Sequence, residues 1–329
     1  MAVAAPPIRP AAEVQEILKV PRRNFWQDAW DRLVRNKAAV VGLVIIVFFF
    51  LVAVFANVLA PQNPLQINDR MGFLPPTFVG TSVTGTADPR FFLGTDTLGR
   101  DVFSRVIYGA RVSIMVGLLP AGVILLIGGT IGMIAGYVGG RVDNLLMRFT
   151  DVFYAFPDLI FFIVLIIALR DSPIGEWLSG LFLLFVALAL TSWVGVARLV
   201  RGSVLSLKEK EFVEAARAIG ASTSRIMFKH ILPNALGPII IWAAFSIPRY
   251  IIFEAILGYL GLGLRPTTDP NSFFISSWGS LMLEGRTAMN SQPWILLAPS
   301  ICVALIVMAF NFVGDGLRDA LDPRLRGTE

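Results

Sequence analysis

Four ionisable side chains lie within or beside long apolar stretches of this 329-residue chain, where a charge is costly to bury. On membrane-insertion scales, a charged residue at the centre of a spanning helix costs about 2.5–3.5 kcal/mol, so it needs water or a polar partner. We therefore expect these side chains to line an aqueous path or to form polar contacts between helices. The four candidates are Asp151, Asp158, Arg249 and Glu254.

The remaining residues do not indicate a disulfide, a metal site or a phosphate-binding loop. Cys302 is the sole cysteine, which rules out a disulfide within the chain, and the sole histidine, His230, has no ligand companions nearby in sequence. A Gly-x4-Gly-Lys-Ser/Thr phosphate-binding motif is missing from the sequence. We predict no catalytic residue, metal or cofactor in this chain, and the basic residues form no stripe suited to nucleic acid.

The composition indicates that the elements carrying these residues cross a lipid bilayer. The chain is 55% hydrophobic and 16% charged, with a mean hydropathy of +0.70. A helix needs roughly 20 apolar residues to cross the hydrocarbon core. We predict an all-α polytopic membrane protein with six spans, at 38–60, 112–138, 145–169, 177–197, 235–263 and 294–313.

The distribution of basic residues predicts the orientation of these spans. If the N-terminus is cytoplasmic, the inner segments carry more than twice as many Lys and Arg residues as the outer segments. We therefore expect a multi-pass protein of the cell (inner or plasma) membrane with both termini in the cytoplasm.

The segments outside the spans differ in character. We expect 1–20 to be a disordered tail, 61–111 to be an extracytoplasmic loop and 314–329 to be a cytoplasmic tail. Residues 21–37 alternate as an amphipathic helix, which is suited to the headgroup plane of the membrane or, alternatively, to packing on other protein. Residues 112–313 form the core with the other five spans.

The third span must include charged residues to reach its full length. Arg148, Asp151 and Asp158 fall within about 80° of each other on a helix and so form one polar stripe. This stripe either lines a cavity near the inner side or, for Arg148 and Asp151, lies in the headgroups as an i,i+3 pair. Pro157 is expected to kink this helix.

The fifth span carries Arg249 and Glu254, which point about 140° apart on a regular helix. We do not expect them to pair with each other. Three roles remain open for them: lining a pathway, contacting another subunit, or forming a salt bridge to another span.

A glycine stripe in the second span predicts close helix packing. Gly128, Gly132, Gly136 and Gly140 recur every four residues and share one helix face. Small residues let the backbones of two membrane helices approach and gain van der Waals contact.

The segment 198–234 is cytoplasmic by the charge distribution. Ser206 and Glu209 have the form of a capping box, which predicts a helix over Leu207–Ile219 that ends at Gly220. A second short helix over about 222–231 is expected to lead to a turn at Leu232 and Pro233.

This segment resembles the EAA loop of the permease subunits of binding-protein-dependent ATP-binding-cassette importers. The matching residues are Glu214, Ala215, Ala216, Gly220, Leu232 and Pro233, and one position departs, since His230 stands where the pattern has Ile. The resemblance implies that these residues belong to a coupling helix that contacts a separate ATPase.

Further motifs resemble the C-type permeases of the dipeptide, oligopeptide and nickel importers over about residues 25–326. The matching segments are Gly94–Asp96, Leu98–Asp101, Ser104–Arg105, Tyr108–Arg111, Ala155–Pro157, Leu260–Gly263, Gly314–Asp319 and Asp322–Arg324. The resemblance implies a type I importer permease fold, and short peptides as the substrate. It also implies four kinds of partner: a second homologous permease, two subunits that bind ATP and Mg, an extracytoplasmic solute-binding protein, and the lipid bilayer.

Two alternatives to peptide import stay open at this point. The same machinery could carry nickel or another small solute. An ion-driven secondary transporter is a different class, although it should show internal repeats with interrupted helices, and we find no convincing repeat.

Overall fold

The computed structural model describes residues 25–82, 84–269 and 272–322, which are mainly helical. A short antiparallel hairpin pairs Thr81 with Thr86 and Ser82 with Gly85. A 3₁₀ turn, Trp177–Gly180, precedes the helix Leu181–Lys208, and a π-helical turn, Ile226–Ile231, precedes the helix Leu232–Tyr259. The elements are α1 Phe25–Arg35, α2 Lys37–Val54, α3 Ala56–Leu59, β1 Thr81–Ser82, β2 Gly85–Thr86, α4 Val102–Val138, α5 Gly140–Tyr154, α6 Asp158–Leu169, α7 Pro173–Glu176, α8 Leu181–Lys208, α9 Glu211–Ala218, α10 Thr223–Arg225, α11 Leu232–Tyr259, α12 Trp278–Ala288 and α13 Trp294–Leu321.

Five spans of the described chain, which contain α2, α4, α8, α11 and α13, are long and apolar enough to cross a membrane. The pair α5 and α6 passes the same test together and is bent by 77°. If this pair is counted as one broken span, the number agrees with the six predicted crossings. The break lies next to Pro157, which has an extended backbone (ψ 121°) and precedes the first residue of α6.

Several helices extend beyond the predicted spans. α4 begins at Val102, ten residues before the predicted start, because Asp101 caps it: the Asp101 carboxylate accepts a hydrogen bond from the Ser104 amide at 2.9 Å. α13 continues to Leu321, so most of the predicted tail 314–329 that the structure describes is helical. The apolar length of a span sets a minimum for its helix, and helical hydrogen bonding continues into water while capping and packing allow it.

The amphipathic helix α1 is shorter than the predicted 21–37, of which 21–24 lie outside the described residues, as does the predicted tail 1–20. Ala29 and Leu33 are buried in a cluster with Leu321 at the end of α13. Trp30 is exposed on another side. α1 therefore packs on protein along one edge and leaves an aromatic edge suited to a membrane interface.

The helix α12, between the last two spans, has no counterpart among the predicted elements. It opens with a reciprocal capping box between Ser277 and Ser280. Its first residue, Trp278, is fully buried, and its indole N–H donates to the Val106 carbonyl of α4 at 3.1 Å. Eleven residues of mixed polarity give too weak a periodic signal for sequence analysis to detect.

Helices α4 and α8 pack closely along three of the four predicted glycines. A Cβ atom added at Gly128 would lie 2.5 Å from the Trp193 carbonyl oxygen, and one added at Gly136 would lie 2.8 Å from Val204 Cβ. Gly132 faces Ala197 in the same way. Gly140 does not belong to this packing stripe, contrary to the prediction, because α4 ends at Val138. Its positive φ of 57° instead turns the chain into α5.

This packing predicts different effects of the same substitution at adjacent glycines. Gly132→Ala should lower the thermal unfolding midpoint of the purified protein in detergent, because the methyl group overpacks the α4–α8 contact, at a cost of about 1–3 kcal/mol. Gly129→Ala is the control, since a Cβ there meets nothing within 4 Å, and it should leave the midpoint unchanged or raise it. Equal midpoints for the two variants would contradict the close contact.

Candidate functional site

The connection between α8 and α11, residues 209–231, carries the predicted coupling residues. The predicted helix Leu207–Ile219 with a capping box at Ser206 is wrong: Ser206 lies inside α8, which continues to Lys208 before the chain turns into α9 at Glu211. The span and the polar residues that follow it form one helix, so Ser206 does not mark a helix start.

Gly220 ends α9 with a glycine that has a positive φ of 79°. The Gly220 amide donates to the Arg217 carbonyl, and the Ala221 amide donates to the Ala216 carbonyl at 3.0 Å. This is the pair of bonds of a Schellman motif, which satisfies the last carbonyls of the helix and reverses the chain direction.

The second helix of the connection differs from the prediction at its end. α10 and the following π-helical turn run directly into α11, so the predicted turn at Leu232 and Pro233 is absent. Pro233 lacks an N–H group to donate, and the wide π-helical turn before it is where the hydrogen-bond pattern changes. The connection therefore continues into α11 without a break in the helical backbone.

The apolar residues of the connection divide into two sets. Val213, Ala216 and Ile226 are buried within the chain, so Ala216 differs from the other predicted contact residues. Ile219 is 85% exposed on the open side. We use the name α9 face for a set of exposed residues of the connection, namely Phe212, Glu214, Ala215, Ile219, Gly220 and Phe228.

A cleft of about 340 Å³ lies halfway along the spans, where the bend between α5 and α6 meets α8 and α11. Asp158 and Arg249, two of the predicted polar residues, form an ion pair in it with a closest N–O distance of 2.6 Å. The other lining residues are Tyr154, Thr191, Ser192, Val194, Gly195, Trp242, Phe245, Ser246 and Tyr250.

Two further Asp–Arg pairs join α5 to α8. Asp151 pairs with Arg198 at 2.6 Å, and Asp143 pairs with Arg201 at 2.5 Å. Arg148 is thus not the partner of Asp151 in the described ion pairs, contrary to one of the two hypotheses for the polar stripe. Neighbouring helices offer better-placed cations than the same helix does, because α8 packs beside α5 throughout this region.

Glu254 does not line the cleft, and of the roles left open for it the contacts of its side chain fit a polar link to other helices. Its side chain is completely buried, and it accepts a hydrogen bond from the Ser113 hydroxyl of α4 at 2.9 Å. Ser113 Oγ in turn accepts from the Trp278 amide at 3.3 Å. Glu254 therefore joins α4, α11 and α12 through polar contacts, a structural role.

A charge cluster that the sequence patterns did not predict lies at the end of the helices opposite to α9. Arg105 donates to Asp96 at 2.5 Å and to Glu284 Oε1 at 2.7 Å, and Arg100 donates to Asp96 at 2.7 Å. The density of charge between Asp96 and Arg105 could have indicated a cluster of ion pairs from sequence. The contribution of Glu284 could not, because it lies 179 residues away from Arg105. Beside the cluster, burial raises the pKa of the Asp101 carboxyl, against the lowering effect of its bond from Ser104.

Two known families match this chain, one over its N-terminal region and one over the larger region that follows. Residues 128–327 match the family described as binding-protein-dependent transport system inner membrane component. Residues 24–76 match the N-terminal transmembrane domain of oligopeptide transport permease C.

Curated relatives are similar over almost the whole chain. The oligopeptide transport system permease protein OppC of Haemophilus influenzae is 40% identical, with 97% of this chain and 95% of the relative covered. The dipeptide transport system permease protein DppC of Bacillus subtilis is 41% identical, over 94% of this chain and 89% of the relative. The Escherichia coli K12 OppC is 39% identical, over 94% and 95%.

A solved structure of an inward-facing MetNI methionine ABC transporter has the same fold. It superposes with a TM-score of 0.53 at 19% identity and covers 67% of this chain and 97% of the compared chain. At this identity the likeness concerns the fold alone.

The charge cluster predicts a large effect on stability from its buried cation. Arg105→Met should lower the free energy of unfolding by about 1–3 kcal/mol, because the carboxylates of Asp96 and Glu284 lose the hydrogen bonds from Arg105 and share Arg100 as their remaining described counter-ion. The control is Asp88→Asn, which removes an exposed ion pair with Arg90 in the same loop and should change the thermal midpoint little. If both variants unfold at the wild-type temperature, Arg105 does not hold the loop to α12.

Proposed function

Since this chain belongs to the family of binding-protein-dependent transport system inner membrane components, we propose that it forms half of the path by which an ATP-binding-cassette importer carries short peptides. The observation that carries the peptide assignment is similarity at about 40% identity, over nearly full length, to relatives whose names specify oligopeptide or dipeptide transport. The cleft at mid-depth supplies a polar surface on the helices that would line such a path.

The proposed assembly contains three kinds of protein partner. A second homologous permease subunit completes the path, and two ATP-binding subunits bind ATP and Mg and supply the energy. An extracytoplasmic solute-binding protein delivers the substrate. The match to a family named for its dependence on a binding protein supports the last of these.

The ATPase contact is assigned to the α9 face on the cytoplasmic side, with both chain termini on that side. Glu214, Ala215 and Gly220 are exposed there, and Ile219 presents a large apolar side chain that a protein partner would cover. Ala216 is buried beneath this face, and Leu232 and Pro233 lie directly after the connection, at the start of α11. ATP-driven movement of the partner would be transmitted through α8 and α11, which hold the connection at its two ends.

Uptake by the reconstituted complex tests the substrate class. The permease pair with its ATPases and binding protein, in liposomes loaded with ATP, should accumulate labelled di- and tripeptides. Accumulation of nickel without peptide uptake would replace the peptide assignment with the metal alternative. Uptake that needs an ion gradient and no ATP would favour the secondary-transporter class.

Gly220 gives a sharp prediction for coupling. Gly220→Val should lower ATP-dependent peptide uptake at least severalfold, because a β-branched residue is strained at φ 79° and the turn that ends α9 would shift. The matched control is Gly202→Val in α8, where a Cβ also meets nothing within 4 Å but the backbone is helical. Wild-type uptake by the Gly220 variant would remove the coupling role of this turn.

A further inference from the structure

The cleft between α6, α8 and α11 combines one ion pair with hydroxyl and aromatic side chains. Five of its lining residues carry a hydroxyl group, which can both donate and accept a hydrogen bond. Its formal charges among the described lining residues are one carboxylate and one guanidinium. Such a lining suits a ligand with its own polar backbone and little net charge. The hydroxyl residues are Tyr154, Thr191, Ser192, Ser246 and Tyr250.

Thr191 provides a second indication that a polar ligand belongs here. It is 5% exposed, and its hydroxyl has no hydrogen-bond partner among the described residues. A buried polar group without a partner is destabilising, and most such groups in proteins bind another polar group or water. Thr191 lines the cleft, so a polar group with unused hydrogen-bonding capacity lies directly at its wall.

Arg249 has unused capacity to bind an anion. It is 61% exposed, and its described hydrogen bond is the one from its terminal nitrogen Nη2 to Asp158 Oδ2 at 2.6 Å. A guanidinium group has five N–H donors, so several remain for a ligand while the ion pair stays intact. The planar group is suited to holding a carboxylate through two parallel bonds.

From this geometry we infer that Arg249 binds the C-terminal carboxylate of the peptide in transit and that Asp158 is the positioning residue that orients the guanidinium. This inference rests on the proposed peptide transport. Every peptide with a free C-terminus has this carboxylate whatever its sequence, and the hydroxyl groups can bond any backbone amide. The cleft therefore recognises the features that short peptides share, and Trp242 and Phe245 offer apolar contact to side chains without a specific bond.

Loss of the Asp158 charge should have the opposite effect on carboxylate binding to loss of Arg249. Its carboxylate neutralises Arg249 and occupies one of its donors in the empty site. A peptide carboxylate competes with that interaction, so removal of the Asp158 charge should strengthen carboxylate binding as long as Arg249 stays in place. A purely structural ion pair predicts equal damage from the loss of either partner.

The experiment compares uptake of trialanine with uptake of its C-terminal amide by the complete complex in liposomes, with binding protein saturated by either form. Arg249→Gln should reduce the ratio of acid to amide uptake roughly tenfold relative to wild type, while Arg249→Lys should retain part of it. Asp158→Asn should leave this ratio unchanged or raise it. Because each variant is compared with wild type using the same binding protein, the selectivity of that protein cancels.

The control removes a different Asp–Arg pair, one that joins α5 to α8. Arg201→Gln breaks the pair with Asp143, and Arg201 does not line the cleft, so the acid-to-amide ratio should stay at the wild-type value. Equal ratios in the Arg249→Gln variant and wild type, or equal loss of acid uptake in the Asp158→Asn and Arg249→Gln variants, would overturn the inference. If the wild-type complex takes up neither peptide, the proposed function itself fails.

Discussion

The close contact of α4 with α8 is the constraint on which the rest of the structure depends. Lipid gives membrane helices no hydrophobic reason to associate, so backbone approach at small residues must hold them together. Gly128, Gly132 and Gly136 allow this approach and fix the position of α8. α8 carries Thr191 of the cleft, and at 1.5 Å per residue it runs roughly 25 Å further to Lys208, where the connection to α9 begins. One fixed helix therefore links the cleft to the α9 face.

Charged residues extend this arrangement to the other helices. Three Asp–Arg pairs join α5 and α6 to α8 and α11, and the buried Glu254 holds α4 against α11 and α12. Because each pair crosses between helices, a displacement at one end of α8 or α11 changes the environment of the cleft. This is the physical basis for expecting that a partner acting on the α9 face influences the substrate path.

The number of spans, the bend at Pro157 and the glycine that ends α9 could be predicted because hydropathy, proline and positive-φ glycine act locally. The extent of the helices could not be predicted in the same way. The start of α4 at the Asp101 cap and the continuation of α8 through Ser206 depend on capping and packing beyond the apolar core. Local sequence patterns likewise do not show which residues pair with the intramembrane charges. Asp158 meets Arg249 across 91 residues, a juxtaposition that only the fold creates.

Cysteine cross-linking at the α9 face tests the central claim most directly. In a Cys302→Ser background, Ile219→Cys introduces a single thiol at a highly exposed position, and Val213→Cys provides a buried control on the same helix. In the assembled complex we expect Ile219→Cys to cross-link to the ATP-binding subunit and to resist a membrane-impermeant thiol reagent added outside intact cells. Labelling from the outside, or a complex that transports fully with no ATP-binding subunit present, would contradict the assignment of this face.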